Sequence, residues 1–296
     1  MMRRRIILAV DDTVTNLDIL VGLLNDYDVI EATGGVEALE IVAEEEVDLI
    51  LLDIMMPGMD GYAVCRKLKE NEKTKDIPII FITSKTDEDA IEKAYDTGGV
   101  DYVTKPFKPK ELLARVKIQL AHQEMIEKLE LMASHDPMTG IYNRRKFFEL
   151  ANRKFSESTE NLYAAMIDID KFKKINDIYG HPTGDRVIKA VTAIIGENID
   201  EGSVFGRLGG EEFAVVCSHP DQECVVERLE LIRKKIEQLE LRSESGELIR
   251  CTVSEGVAKA DKTIGNLDEL LQLADEMLYK AKGSGRNKAV FRMRQS

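Results

Sequence analysis

The first 122 residues alternate short apolar runs with helix-period patterns, and this alternation narrows the fold more than any other feature. The strand candidates are Ile6–Val10, Val29–Glu31, Leu49–Leu52, Ile77–Ile82 and Tyr102–Val103. Between them lie helical patterns over Asn16–Leu24, Gly35–Glu44, Gly61–Glu70 and Asp87–Asp96. Such alternation predicts α/β structure, a doubly wound five-stranded parallel sheet with helices on both faces. Ligands of such sheets bind outside the carboxyl ends of the strands. The chemistry-bearing residues fall there: Asp11 and Asp12 after the first strand, Asp53 after the third, Thr83 and Ser84 after the fourth, and Lys105 after the fifth.

Acids at strand ends often do no more than cap helices, and Asp11 or Asp12 alone would favour that role. Three carboxylates and a lysine at one end of one sheet fit a different chemistry. Oxygen ligands hold magnesium, which keeps waters and takes phosphate oxygens. A carboxylate beside it can attack phosphorus and form an acyl phosphate. Over its whole length the pattern resembles the receiver domain of two-component response regulators, which is flavodoxin-like. The resemblance implies Asp53 as phosphoacceptor and magnesium held by Asp12, Asp53 and the Met55 carbonyl, with Asp11 assisting. It implies Thr83 bonding the new phosphate, Lys105 pairing with it, and a cognate histidine kinase as phosphodonor. Tyr102 stands where that family has its switch aromatic, or is an ordinary packed strand residue.

In the second half, Gly209-Gly210-Glu211-Glu212-Phe213 interrupts an apolar run from Val204 to Val216. It reads as a β-hairpin, Val204–Leu208 and Phe213–Val216, around a Gly-Gly turn suited to positive backbone angles. Glycines there also let a bulky ligand lie against bare backbone. Two adjacent acids repel unless a cation or open solvent relieves them. Upstream, Leu162 to Asp170 reads as a buried strand ending in two carboxylates. Lys171 to Asp177 follows, then Tyr179-Gly180-His181-Pro182-Thr183-Gly184-Asp185, which opens a helix with Val187, Ile188, Val191, Ile194 and Ile195 on one face.

These motifs, with Asp136–Arg145 before them and Ala274–Asn287 after, resemble in order the GGDEF family of diguanylate cyclases over roughly 160 residues. The resemblance implies an α+β domain with a central, mostly antiparallel sheet of the ferredoxin-like, nucleotidyl-cyclase palm type. It implies Asp168, Glu211 and Glu212 as the catalytic carboxylates. Asp168, Glu211 and the Ile169 carbonyl would hold Mg2+ (or Mn2+) under a triphosphate. Glu212 would hold the second ion or help deprotonate the attacking 3′-hydroxyl. Asn176 and Asp185 would read the guanine edge of GTP. Lys173, Lys282, Arg286 and the bare backbone of Gly209 and Gly210 would hold the rest of the substrate. Two such half-sites are needed to join two GTP, so a homodimer is implied.

The expected domains are a receiver over 1–122, a helical linker over 123–133 and a cyclase domain over 134–296. Lys110 to Ala133 lacks glycine and proline and reads as one helix. Ile118, Met125 and Met132 are seven apart, with His122 and Leu129 four after the first two. This partial heptad is a two-stranded coiled coil or a solvated linker. Leu112, Leu113, Val116 and Leu120 are expected to pack on the receiver. A net charge of −13 argues against DNA binding, which needs a basic face. The apolar run behind Arg3-Arg4-Arg5 ends at Asp11 and is too short for a signal peptide, and no run is long enough to span a membrane. Cys65, Cys217, Cys224 and Cys251 have no paired spacing, and Cys217 and Cys251 lie in strand-like runs, as reduced thiols in a cytoplasmic protein do.

Two positions depart from the family pattern. Where many cyclases have an Arg-x-x-Asp product site, the end positions are Asp200 and Ser203. The primary inhibitory site is therefore expected to be absent, with Arg207 a candidate for a secondary one. Glu255 stands where an apolar residue is usual and is expected on the open face, because a charge in the core is costly. The expected function is a phosphorylation-activated diguanylate cyclase. The alternatives are a degenerate domain that binds GTP or cyclic di-GMP as a scaffold, and a constitutive enzyme whose receiver only dimerises.

Overall fold

The computed structural model describes residues 4–84, 88–243 and 246–292. Its two compact units are Met1–Lys128 and Leu129–Ser296. The first runs β1 (Ile6–Val10), α1 (Val14–Leu23), β2 (Asp28–Ala32), α2 (Gly35–Glu44), β3 (Leu49–Asp53), α3 (Gly61–Glu70), β4 (Ile79–Thr83), α4 (Glu88–Asp96) and β5 (Asp101–Thr104). The strands form one all-parallel sheet in the order β2-β1-β3-β4-β5. This is the expected doubly wound sheet, with the expected elements shifted by a few residues. Asp87, the expected start of the fourth helix, lies outside the described residues.

Strand parity sorts this core. Leu8, Val10, Ile50, Leu52 and Phe81 face α2 and α3, while Ile7, Ala9, Leu49, Leu51 and Ile80 face α1 and the helix that follows β5. β3 and β4 are buried at every residue, as central strands covered on both faces are. That following helix, α5, runs unbroken over Pro109–Ser134. Leu112, Val116 and Leu120 are buried, and Leu113 packs beside them. Beyond them Met125, Leu129 and Met132 are each more than half exposed, as is Ile118.

The second unit continues with β6 (Tyr142–Asn143), α6 (Arg144–Glu157), β7 (Leu162–Ile169), α7 (Phe172–Tyr179), α8 (His181–Asn198), β8 (Val204–Gly209) and β9 (Glu212–Ser218). Then come α9 (Gln222–Glu237), β10 (Leu241–Arg242), β11 (Leu248–Ile249), β12 (Val253–Lys259), α10 (Leu267–Gly283) and β13 (Ala289–Phe291). Six strands form one sheet in the order β13-β12-β7-β9-β8-β6. The inner pairs β12-β7, β7-β9 and β9-β8 are antiparallel, and the edge strands β13 and β6 add in parallel. One face packs Ile167, Ile169, Val253 and Val257 against α8 and α9. The other packs Ala164, Met166 and Ala258 against α6 and α10. Cys217 lies in β9, whereas Cys251 precedes β12; all four cysteines are free.

Glu255 overturns the expectation of an open-face position. It lies on β12 between Val253 and Val257, on the α9 side, and is fully buried. Neither carboxylate oxygen has a hydrogen-bond partner. Burial pushes its pKa well up, Glu230 on α9 adds to this, and Arg233 on α9 opposes it. A folded-state pKa above the unfolded value, about 4.3, gives stability that is present at low pH and lost as pH rises past that value. Glu255→Met is therefore expected to stabilise the second unit by about 1–3 kcal/mol at pH 8 and by less at pH 5. Thermal melts at the two pH values check this; an equal change at both, or a loss at pH 8, contradicts it.

Candidate active site and phosphoacceptor site

In the first unit, β1, β3 and β5 deliver Asp11, Asp12, Asp53 and Lys105 to one end of the sheet. Ligand oxygens of Asp11, Asp12 and Asp53 lie within 4.8 Å of one another. Lys105 Nζ pairs with Asp11 Oδ2 at 2.7 Å and with Asp53 Oδ2 at 2.6 Å. Asp11 Oδ1 accepts from Thr13 N and Asn16 Nδ2, which fixes its rotamer. The Met55 amide donates to Asp53 Oδ1 at 3.2 Å. Burial raises the pKa of Asp53, and Lys105 opposes that shift. Burial pulls the Lys105 ammonium down, but its bonds to Asp11 and Asp53 outweigh this and hold it above its ordinary value.

Three carboxylates around one lysine leave a negative excess of hard oxygen donors, which fits magnesium. A pocket of about 610 Å³ opens beside Asp12, lined also by Met55 and Thr83. Thr83 is buried at the end of β4, and its carbonyl accepts from the Lys105 amide. Tyr102 is half-buried on β5, edge-on to Tyr95, with the Arg115 guanidinium over its ring.

In the second unit, β7 and the β8–β9 hairpin position the acids. Asp168 sits directly across from Glu212 in the β7–β9 register. Asp168 is buried, Glu211 is half-buried and Glu212 is exposed. Gly210 takes φ +52° in the turn, as its sequence required. Arg207 pins this turn: Nε and Nη2 donate to the Gly210 carbonyl at 2.9 and 2.7 Å, and Nη1 pairs with Asp136 at 2.9 Å. Arg207 is thus committed within the unit, against its candidacy for a secondary product site. Asp200 pairs with Arg228 on α9, and Ser203 is half-buried with its hydroxyl unpartnered.

Lys282, at the end of α10, pairs with Asp168 Oδ2 at 2.7 Å. Burial raises the pKa of Asp168, Lys282 opposes, and Glu211 and Glu212 add repulsion. Among the described residues these three acids do not form a group within 4.8 Å, as the receiver acids do. The donor chemistry still suits a hard cation: two or three carboxylates repel one another, beside the strand-end Ile169. Ile169 donates its amide to the Glu211 carbonyl at 3.4 Å.

Asn176 on α7 carries a buried Oδ1 with no partner. It presses on Gly184 of α8, where a Cβ would lie 1.9 Å from that oxygen. Asp185, the next residue, is exposed. Lys173 is exposed on α7. Arg286 does not continue the helix of Lys282; it lies in the loop after α10 at φ +65°, with Nε 4.0 Å from Asp170 Oδ1. Asp170 and Arg233 are the functional candidates that local patterns did not single out. Asp170 meets Thr252, Ser254 and Asn287, and Arg233 meets Asn287, all far away in sequence.

Comparison with known proteins follows these two units. Residues 7–117 match the response regulator receiver domain, and residues 133–288 match "Diguanylate cyclase, GGDEF domain". Response regulator PleD of Caulobacter vibrioides is 31% identical over 265 residues, covering 86% of this chain and 58% of that protein. The probable diguanylate cyclase DgcT of Escherichia coli is 40% identical over 165 residues, 54% of this chain and 36% of that protein. The chain therefore spans only about half the length of these curated relatives, or less. The solved coiled coil and GGDEF domain of DgcB from Caulobacter crescentus, in complex with c-di-GMP, superposes with TM-score 0.57 at 30% identity. That superposition covers 62% of this chain and 98% of that one. Since the family match takes in more than half of the residues, the chain belongs to the GGDEF family, with a receiver domain ahead of its GGDEF domain.

Proposed function

We propose that this chain is a phosphorylation-activated diguanylate cyclase converting two GTP to cyclic di-GMP and two pyrophosphate. The observation that carries the reading is the placement of Asp168 across from Glu212, under a turn that also holds Glu211 and beside Lys282. Each 3′-hydroxyl attacks the α-phosphorus of the other GTP. The new O–P bond replaces the bond to the β-phosphate oxygen, and pyrophosphate leaves. Asp168, Glu211 and the Ile169 carbonyl would hold Mg2+ or Mn2+, with Glu212 a further ligand or the acceptor of the hydroxyl proton. When bound, the ions stabilise charge on the attacking and leaving oxygens. Lys282, Lys173 and Arg286 bind the phosphates, and Asn176 and Asp185 orient the base.

Cyclisation needs two half-sites face to face, so the active form is a homodimer. The exposed Ile118, Met125, Leu129 and Met132 of α5 supply an apolar seam at heptad spacing for it. The receiver takes its phosphoryl group from a histidine kinase onto Asp53, with Asp12, Asp53 and the Met55 carbonyl holding magnesium. The added charge shifts the receiver surface and favours productive dimers. Among the described residues no helix is long and apolar enough to cross a membrane. A cytoplasmic location and no DNA partner agree with this reading.

The test is GTP turnover with magnesium, with and without beryllofluoride. The wild-type chain is expected to make cyclic di-GMP faster with beryllofluoride. Asp53→Ala is expected to hold the basal rate and to gain nothing from it. Activation of Asp53→Ala to the wild-type level would refute the proposed control. Tight GTP binding without turnover would move the reading to a scaffold.

A further inference from the structure

We propose that Asp170 is the positioning residue that aims Arg286 at the substrate phosphates; this rests on the cyclase reading above. Asp170 follows β7 two residues after Asp168 and is buried. Its Oδ2 accepts from Thr252 Oγ1 at 2.7 Å and from the Asn287 amide at 3.0 Å. Its Oδ1 accepts from Ser254 Oγ at 2.6 Å. Its own amide donates to the Thr252 carbonyl at 2.9 Å. One carboxylate thus joins three segments: the end of β7, the entry to β12 and the loop after α10.

The loop needs such a tie. Arg286 and Asn287 have φ of +65° and +49°; asparagine visits this left-handed region readily, but arginine adopts it where its surroundings impose it. Asp170 fixes the Asn287 amide. From α9, Arg233 Nη1 donates to Asn287 Oδ1 at 2.7 Å, and Asn287 Nδ2 donates to Glu237 Oε1 at 2.8 Å. Arg286 itself donates its amide to the Ala281 carbonyl at 3.0 Å, next to the fixed Asn287, and its exposed guanidinium keeps Nε 4.0 Å from Asp170 Oδ1. The distance leaves Arg286 oriented by charge but free to donate elsewhere.

The alternative role for a second strand-end acid is metal ligation. Both oxygens of Asp170 are already taken by three donors, so it has little capacity left for a cation. Asp168 faces Lys282 and the hairpin acids instead. The two acids of Asp168-Ile169-Asp170 therefore divide their work: the first would hold the ion, the second builds the arm that grips the phosphates.

The experiment measures GTP and GMP affinity of the full chain, with calcium in place of magnesium to limit turnover. Asp170→Asn puts an amide donor against Thr252, Ser254 or Asn287 N–H. It is expected to weaken GTP about tenfold while GMP affinity, which rests on the base, stays within twofold. In a double-mutant cycle, Arg286→Ala is expected to cost GTP affinity in the wild-type background and little beside Asp170→Asn. Thr252→Val removes one donor only and is expected to act in the same direction with a smaller loss, which keeps the test open if Asp170→Asn does not fold. Equal losses for GTP and GMP, or additive costs in the cycle, would make Asp170 merely structural and overturn the inference. Wild-type chain that fails to bind GTP would instead sink the cyclase reading, and this inference with it.

Discussion

Asp168→Asn is expected to bring cyclic di-GMP formation below detection while the second unit stays folded. The side chain is buried, paired with Lys282 at 2.7 Å and pressed by the charges of Glu211 and Glu212. The substitution keeps its shape and removes its charge. The acids proposed to hold a divalent ion lose their most buried member, and Lys282 is left without its counter-ion. Glu212→Gln probes the same set from the exposed side, with an expected loss on the order of 10²–10⁴-fold if this acid takes the hydroxyl proton. Product chromatography after incubation with GTP and magnesium reads both variants, and circular dichroism reads the fold. Wild-type amounts of product from Asp168→Asn would end the cyclase assignment.

The sheets were legible because burial leaves simple periodic traces. β3 and β4 are buried on both faces and read as unbroken apolar runs, and α5 reads as one segment without glycine or proline. The hairpin acids were legible because two glycines and two acids in an apolar run have few structural uses. Glu255 was misplaced although the trace was there: it shares parity with Val253 and Val257, and period two puts all three on one face. A buried charge is costly, but a carboxyl that protonates escapes that cost. Asp170 and the Asp136–Arg207 pair were not legible for another reason. Asp170 meets Asn287 across 117 residues and Arg207 meets Asp136 across 71, and a single sequence carries no local trace of such pairings. The parallel edge strand β13 escaped for the same reason, since it pairs with β12 only after α10 has crossed the sheet.

GTP is expected to be used roughly a hundredfold more efficiently than ATP, judged by kcat/KM. Asn176 Oδ1 is buried and unpartnered, so a base that supplies a donor relieves it, and one that cannot leaves it stranded. Guanine offers N1–H and the 2-amino group to Asn176 and Asp185, both of which accept. Adenine offers a lone pair at N1 and no 2-amino group, so acceptor meets acceptor. Gly184 sets the position of that oxygen without being needed to touch the base. A Cβ there would lie 1.9 Å from Asn176 Oδ1, and 3.0 Å from the amide carbon behind it, so Gly184→Ala must push the amide aside. The expected result is a raised KM for GTP with kcat changed less, because the phosphate end and the hairpin acids are untouched. Initial rates for both nucleotides, on wild type and Gly184→Ala, check the pair of expectations. Equal kcat/KM for ATP and GTP on the wild-type chain would mean that Asn176 and Asp185 do not read the base.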